Sequence, residues 1–529
     1  MKLSLFFISL LLVSCNGGGG GGGGSSVAIS YWDISGLVTY QFVPATATGL
    51  DYAGTTELPM RNVIVQILRS SDNVVLGSGS TDDNGNYLVK IPQGSQNTSI
   101  KVSARAEMTS PSVIIQDNTN SNAKYVATGP VNVIFGDTVI STLIAPSGWG
   151  GNSYTSTRAA APFAILDSIY TAIKKVKEAR PSTVLPALKV NWSTLNVATS
   201  GDLTIGQIGT SHFNQNGQLY ILGKENSDTD EYDRHVIAHE WGHYFEDKLS
   251  RSDSGGGQHS DGEVVDMSLA FGEGWGNALS GIVFSPDINY RDTAGVKQQV
   301  TAIDYSLETS PDTTPGWFSE VSVQQIIFDI FDSNADAGDS VSLGLGPILD
   351  VFTGYQKTTP AKTSIFSFIT GLKNNNASSV AALNTLTTSK QISNVANAFG
   401  TGETNNGGLA RMLPIYNQLV VNGGPVTVFM GGGSVRMNEA DNNRYFRFTA
   451  TSTSTKLTWA SSDTYILSVS RLGSTIYDDL EQAPDGNILG PYFDFVTTTP
   501  GLEYVLQIST HPDFVFDSAS PVEFAAKIE

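Results

Sequence analysis

Cysteine is nearly missing from this chain: among 529 residues the one copy is Cys15. Everything after it must fold without disulfides. Positive charge is scarce as well. Thirty Lys and Arg face fifty Asp and Glu, a formal net charge of −20. Nucleic acid demands a positive footprint on its partner, so no nucleic acid is expected. Charge-driven docking on anionic lipid is disfavoured for the same reason. The apolar run Leu3–Val13 is too short to span a bilayer, and no later stretch is long and apolar enough to do so. Histidine is rare, six residues in all, so a close pair of them is informative.

What is present at the N-terminus is a targeting signal. Met1-Lys2, the apolar run and Ser14 read as a signal peptide over 1–14. Leu12-Val13-Ser14-Cys15 resembles the bacterial lipobox, which implies cleavage before Cys15 and lipid on its sulfur. Gly17–Gly24 follow, and 15–29 is expected to be a lipidated, flexible tether. Asn16 is not the aspartate that retains some lipoproteins at the inner membrane. The expected location is extracytoplasmic, anchored in the lipid bilayer of a bacterial outer membrane or cell surface.

The chemistry concentrates in His239-Glu240-Trp241-Gly242-His243. On a helix, residues four apart lie one above the other, so two imidazoles at that spacing can share one metal ion. Glu240 beside them can act as base toward a water the metal activates. Asp228, Asp230 and Glu231 are expected as cap and first-turn acids of this helix. Val236, Ile237, Trp241, Tyr244 and Phe245 supply its apolar surface. A catalytic zinc needs three protein ligands and an open position. His259, Asp261, Glu263, Asp266 and Glu273 are the candidates for the third. Glu273 is favoured because Gly272, Gly274 and Gly276 thin the helix around it, and glycine there costs about 1 kcal/mol against alanine. Close approach of two helices around a metal would explain that cost. Glu263 competes from a loop. His259 reads as a loop residue that contacts the metal, donates to an oxyanion, or is simply solvated.

HEWGH together with Gly272-Glu273-Gly274-Trp275 resembles the gluzincin metallopeptidases, most closely the fungalysins, over about residues 160 to 400. The resemblance implies Zn²⁺ held by His239, His243 and Glu273, with Glu240 as general base. It implies an oxyanion donor, for which Tyr305, Tyr290 and His259 stay open. Gly276-Asn277 replaces the Ser-Asp usual in fungalysins, so the acid that orients a zinc imidazole is not obvious; Asp266 is a candidate. An edge strand near His212 would run beside a bound peptide. Tyr305 and Glu320 are candidate cleft residues.

The expected architecture is multidomain: an N-terminal β-sandwich (30–146), a central α+β zincin-like metallopeptidase domain (155–415) with a mostly helical second lobe, and a C-terminal β-sandwich (421–529). The first resembles carboxypeptidase regulatory-like domains, and its Thr81–Tyr87 turn reads as a simple hairpin rather than a calcium loop. The last resembles the sandwich appended to secreted peptidases, with His511 at its surface. The implied activity is zinc-dependent endopeptidase action on extracytoplasmic polypeptides, by a monomer. The competing reading is a surface-anchored binding or adhesion lipoprotein whose zincin domain does not turn over.

Overall fold

The computed structural model describes residues 30–529 apart from 94–97, 135–137, 215, 261, 334–339, 394, 432–437, 463–464, 482–488 and 511–520. The signal peptide, Cys15, the glycine tether, Asp261 and His511 lie outside the described residues. Among these residues the chain forms several β-sheets around a region of seven α-helices. No helix among them is long and apolar enough to cross a membrane.

Alternation drives the N-terminal strands. In Asn86–Pro92 the side chains of Tyr87, Val89 and Ile91 are buried and those between them are exposed, the two-residue period of a half-buried strand. Tyr31–Phe42 is the centre of one sheet, pairing with Thr56–Pro59, Asn86–Pro92, Thr138–Ile140 and Leu143–Ala145. Val126–Val133, Ser99–Arg105, Ile64–Arg69 and Val75–Ser80 form a second. The turn after Thr81 is not a hairpin. Val75–Ser80 and Asn86–Pro92 belong to different sheets. The Asp82 carboxylate accepts from the backbone N–H groups of Asn84 and Asn86, both at 2.9 Å, and so fixes a turn that passes the chain between sheets.

The central sheet runs in the order Ala123–Lys124, Ser112–Asp117, Leu188–Trp192, Gln218–Ile221, His212–Phe213. Its first two strands come from the segment expected in the N-terminal sandwich, so a boundary at 146 does not divide the sheets. Ser112–Asp117 pairs in parallel with Leu188–Trp192, a long-range pairing that alternation alone cannot reveal. The apolar core likewise runs on from the N-terminal strands into the helices.

Helix α1 (Ala161–Ala179) begins with Pro162 in its first turn, where a missing N–H costs nothing. It buries Phe163, Ile169, Ile173 and Val176. Then come α2 (Arg234–Leu249), α3 (Met267–Phe284), α4 (Glu320–Phe331), α5 (Leu345–Asp350), α6 (Ile365–Asn375) and α7 (Val380–Ser389). Between α3 and α4 the strands Asn289–Ala294 and Val300–Ser306 form an antiparallel pair. Residues 416–529 build two further sheets, of five and four strands, which share a second apolar core around Phe446, Leu467, Leu506 and Phe524.

Candidate metal centre

Helices α2 and α3 approach closely because both present glycine at the crossing. A Cβ on Gly242 would lie 3.1 Å from Gly276 Cα, and one on Gly276 would lie 2.8 Å from His239 Nδ1. Trp275 Nε1 donates to Gly242 O at 3.0 Å across the same crossing. The glycines thus let the imidazole of one helix lie flat against the backbone of the other. Gly274 gives α4 the same access: a Cβ there would stand 2.6 Å from Val323 Cβ.

This packing brings three ligand atoms together. His239 Nε2 lies 3.0 Å from His243 Nε2 and 3.1 Å from Glu273 Oε2. His243 Nε2 lies 3.4 Å from the same oxygen. Ligands on a tetrahedral zinc, with bonds of about 2.0–2.1 Å, stand about 3.4 Å apart. His239, His243 and Glu273 therefore form a group that could bind a metal ion. Glu263 is elsewhere, accepting from Ser260 Oγ at 2.7 Å.

The tautomer of His239 is set by its neighbour. Its Nδ1–H donates to Asn277 Oδ1 at 2.8 Å, which leaves the Nε2 lone pair for a cation. Asp266 does not orient an imidazole. It caps α3, accepting from Ser268 N at 3.0 Å, and takes the Tyr445 hydroxyl. An amide oxygen on α3 fills the place where an acid was sought.

Glu240 stands outside the three-atom group. Its Oε2 accepts the backbone N–H of Phe213 at 2.7 Å. Phe213 belongs to the short edge strand His212–Phe213, so one carboxylate oxygen is tied to the sheet edge. His212 stacks on Tyr220, with its Nδ1 2.7 Å from Thr210 O.

His259 joins the site from its loop. Its Nε2 is 3.5 Å from Glu273 Oε2, and its Nδ1 is 2.9 Å from Glu320 Oε1. Burial favours the neutral ring, but Glu320 and Glu273 override it and lift the imidazole to about 9. Glu320 opens α4, which Ser319 caps. Sequence reasoning placed Glu320 in the cleft without finding its partner 61 positions earlier. His243 behaves alike: burial opposes its charge, and Glu273 raises it to about 10. Glu273 is driven the other way, its burial outweighed by His243.

Of the tyrosines, Tyr290 meets the site: its ring lies 6.1 Å from that of His239, edge to face. Tyr305 stacks on Tyr290 at 5.5 Å. The neighbour of the metal ligands is therefore Tyr290, with Tyr305 joined through that stack. The acids ahead of α2 do not cap it. Asp233 occupies the N-cap position but makes no side-chain cap bond; it accepts instead from Thr293 N and Oγ1, at 2.8 and 2.9 Å. Glu231 pairs with Arg158 in the interior.

No protein-family model matches the chain, and no curated protein matches it. Solved structures give short likenesses. The pre-peptidase C-terminal domain of a collagenase from Bacillus anthracis is 11% identical over 22% of this chain and 94% of that one, with a TM-score of 0.15. The major plantain pollen allergen Pla l 1 is 14% identical over 22% and 94%, TM-score 0.14. A 9R-lipoxygenase from Cyanothece PCC8801 is 10% identical over 30% and 25%, TM-score 0.14.

Proposed function

We propose that this protein is a zinc-dependent endopeptidase of the gluzincin type, tethered outside the cytoplasm through lipid on Cys15. The observation that carries the reading is the convergence of His239 Nε2, His243 Nε2 and Glu273 Oε2 within 3.4 Å, with Glu240 one residue from the first ligand. Bound zinc would supply Lewis acidity toward a carbonyl oxygen and a water of lowered pKa.

The chain's own groups do the rest. Glu240 takes the proton of the attacking water and passes it to the leaving amine. The Phe213 N–H holds Glu240 Oε2, so the other oxygen is left for that proton. His259, held by Glu320, presents Nε2–H toward the oxygen on which negative charge develops. An extended peptide lies along the His212–Phe213 strand, at the outer edge of the central sheet.

The test pairs metal analysis with cleavage of casein. Wild type is expected to carry one zinc per chain and to cleave. Glu240→Gln is expected to keep its zinc and lose at least about a thousandfold in turnover. Stoichiometric zinc in wild type with no cleavage of any of a broad set of peptides would reject the enzyme in favour of a binding protein.

A further inference from the structure

Nine to nineteen residues along the chain from the nearest zinc ligand, two strands bring together acids that join no ion pair among the described residues. Asp228 lies in the short strand Asp228–Thr229, and Asp230 follows it. Asp292 lies on Asn289–Ala294, which pairs antiparallel with Asp228–Thr229 through Asp228 and Ala294. Each of the three acids offers a carboxylate oxygen, and these oxygens lie within 4.8 Å of one another. Asp230 is only 2% exposed.

The hydrogen bonding is incomplete in a telling way. Asp230 Oδ2 accepts from Ser211 Oγ, but its Oδ1 is buried with no hydrogen-bond partner among the described residues. Asp228 Oδ1 and Asp292 Oδ1 are buried and unpartnered as well. Asp233, four residues past the strand end, adds a fourth buried carboxylate, itself satisfied by Thr293. Buried carboxylates persist when paired, hydrogen-bonded or bound to a metal. Arg291, the nearest cation in sequence, is taken by Asp287 and Asp304. What can neutralise them is a retained proton or a bound cation, and three carboxylates in one place suit a cation.

We propose that Asp228, Asp230 and Asp292 form a second metal site, for a hard divalent cation such as Ca²⁺. The donor set is all oxygen, which suits a hard cation and disfavours zinc. Oxygens within 4.8 Å of one another can share either Ca²⁺, with bonds of about 2.3–2.6 Å, or Mg²⁺, with bonds of about 2.0–2.1 Å. The site would fasten the segment ahead of α2 to the strand that carries Tyr290, beside His239.

Equilibrium dialysis of the full chain against radiolabelled calcium tests this without reference to peptide cleavage. Zinc-loaded wild type is expected to bind one calcium per chain at free concentrations up to about 1 mM, the range of extracellular calcium modules. Asp230→Asn and Asp292→Asn are expected to weaken binding about tenfold or more, and Asp82→Asn, whose carboxylate already serves a turn, to leave it unchanged. Asp292 is only half-buried, so its variant serves if Asp230→Asn does not fold. Absence of calcium binding in wild type, or unchanged affinity in Asp292→Asn, overturns the site.

Discussion

His239 Nδ1 donates to Asn277 Oδ1 at 2.8 Å, across the crossing of α2 and α3. An amide oxygen only accepts, so this bond fixes the proton on Nδ1 and frees Nε2 for metal. Partners of this kind typically contribute about 10–100-fold to metal affinity. Asn277→Ala is expected to weaken zinc by that order in competition with a chromogenic chelator. Asn277→Asp keeps the acceptor and adds charge, and is expected to bind at least as tightly as wild type. Equal affinity in all three proteins would show that the tautomer is set elsewhere.

Gly276 offers a steric test of the same crossing. A Cβ there meets three atoms of the His239 ring at 2.8 to 3.0 Å, closer than real Cβ atoms approach. The ring is fixed by Asn277 and cannot retreat freely. Gly276→Ala is expected to cost about 1–3 kcal/mol in urea unfolding, the usual range for overpacking, and to lower zinc content. Gly424, with nothing within 4 Å of its would-be Cβ, supplies the control substitution, expected to stay within about 0.5 kcal/mol of wild type.

What was legible in the sequence was local. The His239–His243 spacing and the glycines around Glu273 are short-range patterns, and each follows from helix geometry. What was not legible depended on partners far apart in the chain. Glu320 meets His259 only because α4 seats against Gly274. The N–H that holds Glu240 belongs to the backbone of Phe213, and no residue type announces a backbone donor. Asp266 looked like the orienting acid by proximity, yet the amide of Asn277 does the work because α3 turns that side chain toward His239. Asp228, Asp230 and Glu231 looked like helix caps because acids ahead of a helix usually are. The parallel partner of Ser112–Asp117 lies more than seventy residues on, so an alternating strand was assigned to the sandwich beside it in sequence.

Glu246, one turn after His243 on α2, carries a pH dependence. Burial is the main cause that lifts its carboxyl from 4.5 to about 8. Between those values the folded protein holds a proton that the unfolded chain has released. Stability therefore falls as pH rises through that window, by up to about 1.4 kcal/mol per pH unit from this group. Glu246→Gln keeps the shape and removes the titration. In chelator-treated protein, its unfolding free energy is expected to vary less between pH 5 and pH 8 (roughly the window that the shift defines) than that of wild type. Parallel pH curves for the two proteins would refute the assignment.

Arg158 and Glu231 tie the stretch before α1 to the segment that leads into α2. The two side chains pair in the interior, 4% and 0% exposed. Arg158 also donates to Gly223 O at 2.6 Å, and its guanidinium lies over the rings of Tyr154 and Trp192, at 4.5 and 5.2 Å. Removing one partner strands a charge in the core, which typically costs about 3–5 kcal/mol. Glu231→Leu and Arg158→Met are each expected to fall in that range by urea denaturation. The double substitution Arg158→Met with Glu231→Leu leaves no unpaired charge, so it is expected to be more stable than either single variant. That non-additivity separates a charge effect from simple loss of packing: if the two single costs add up in the double variant, the ion pair is not what holds the segment.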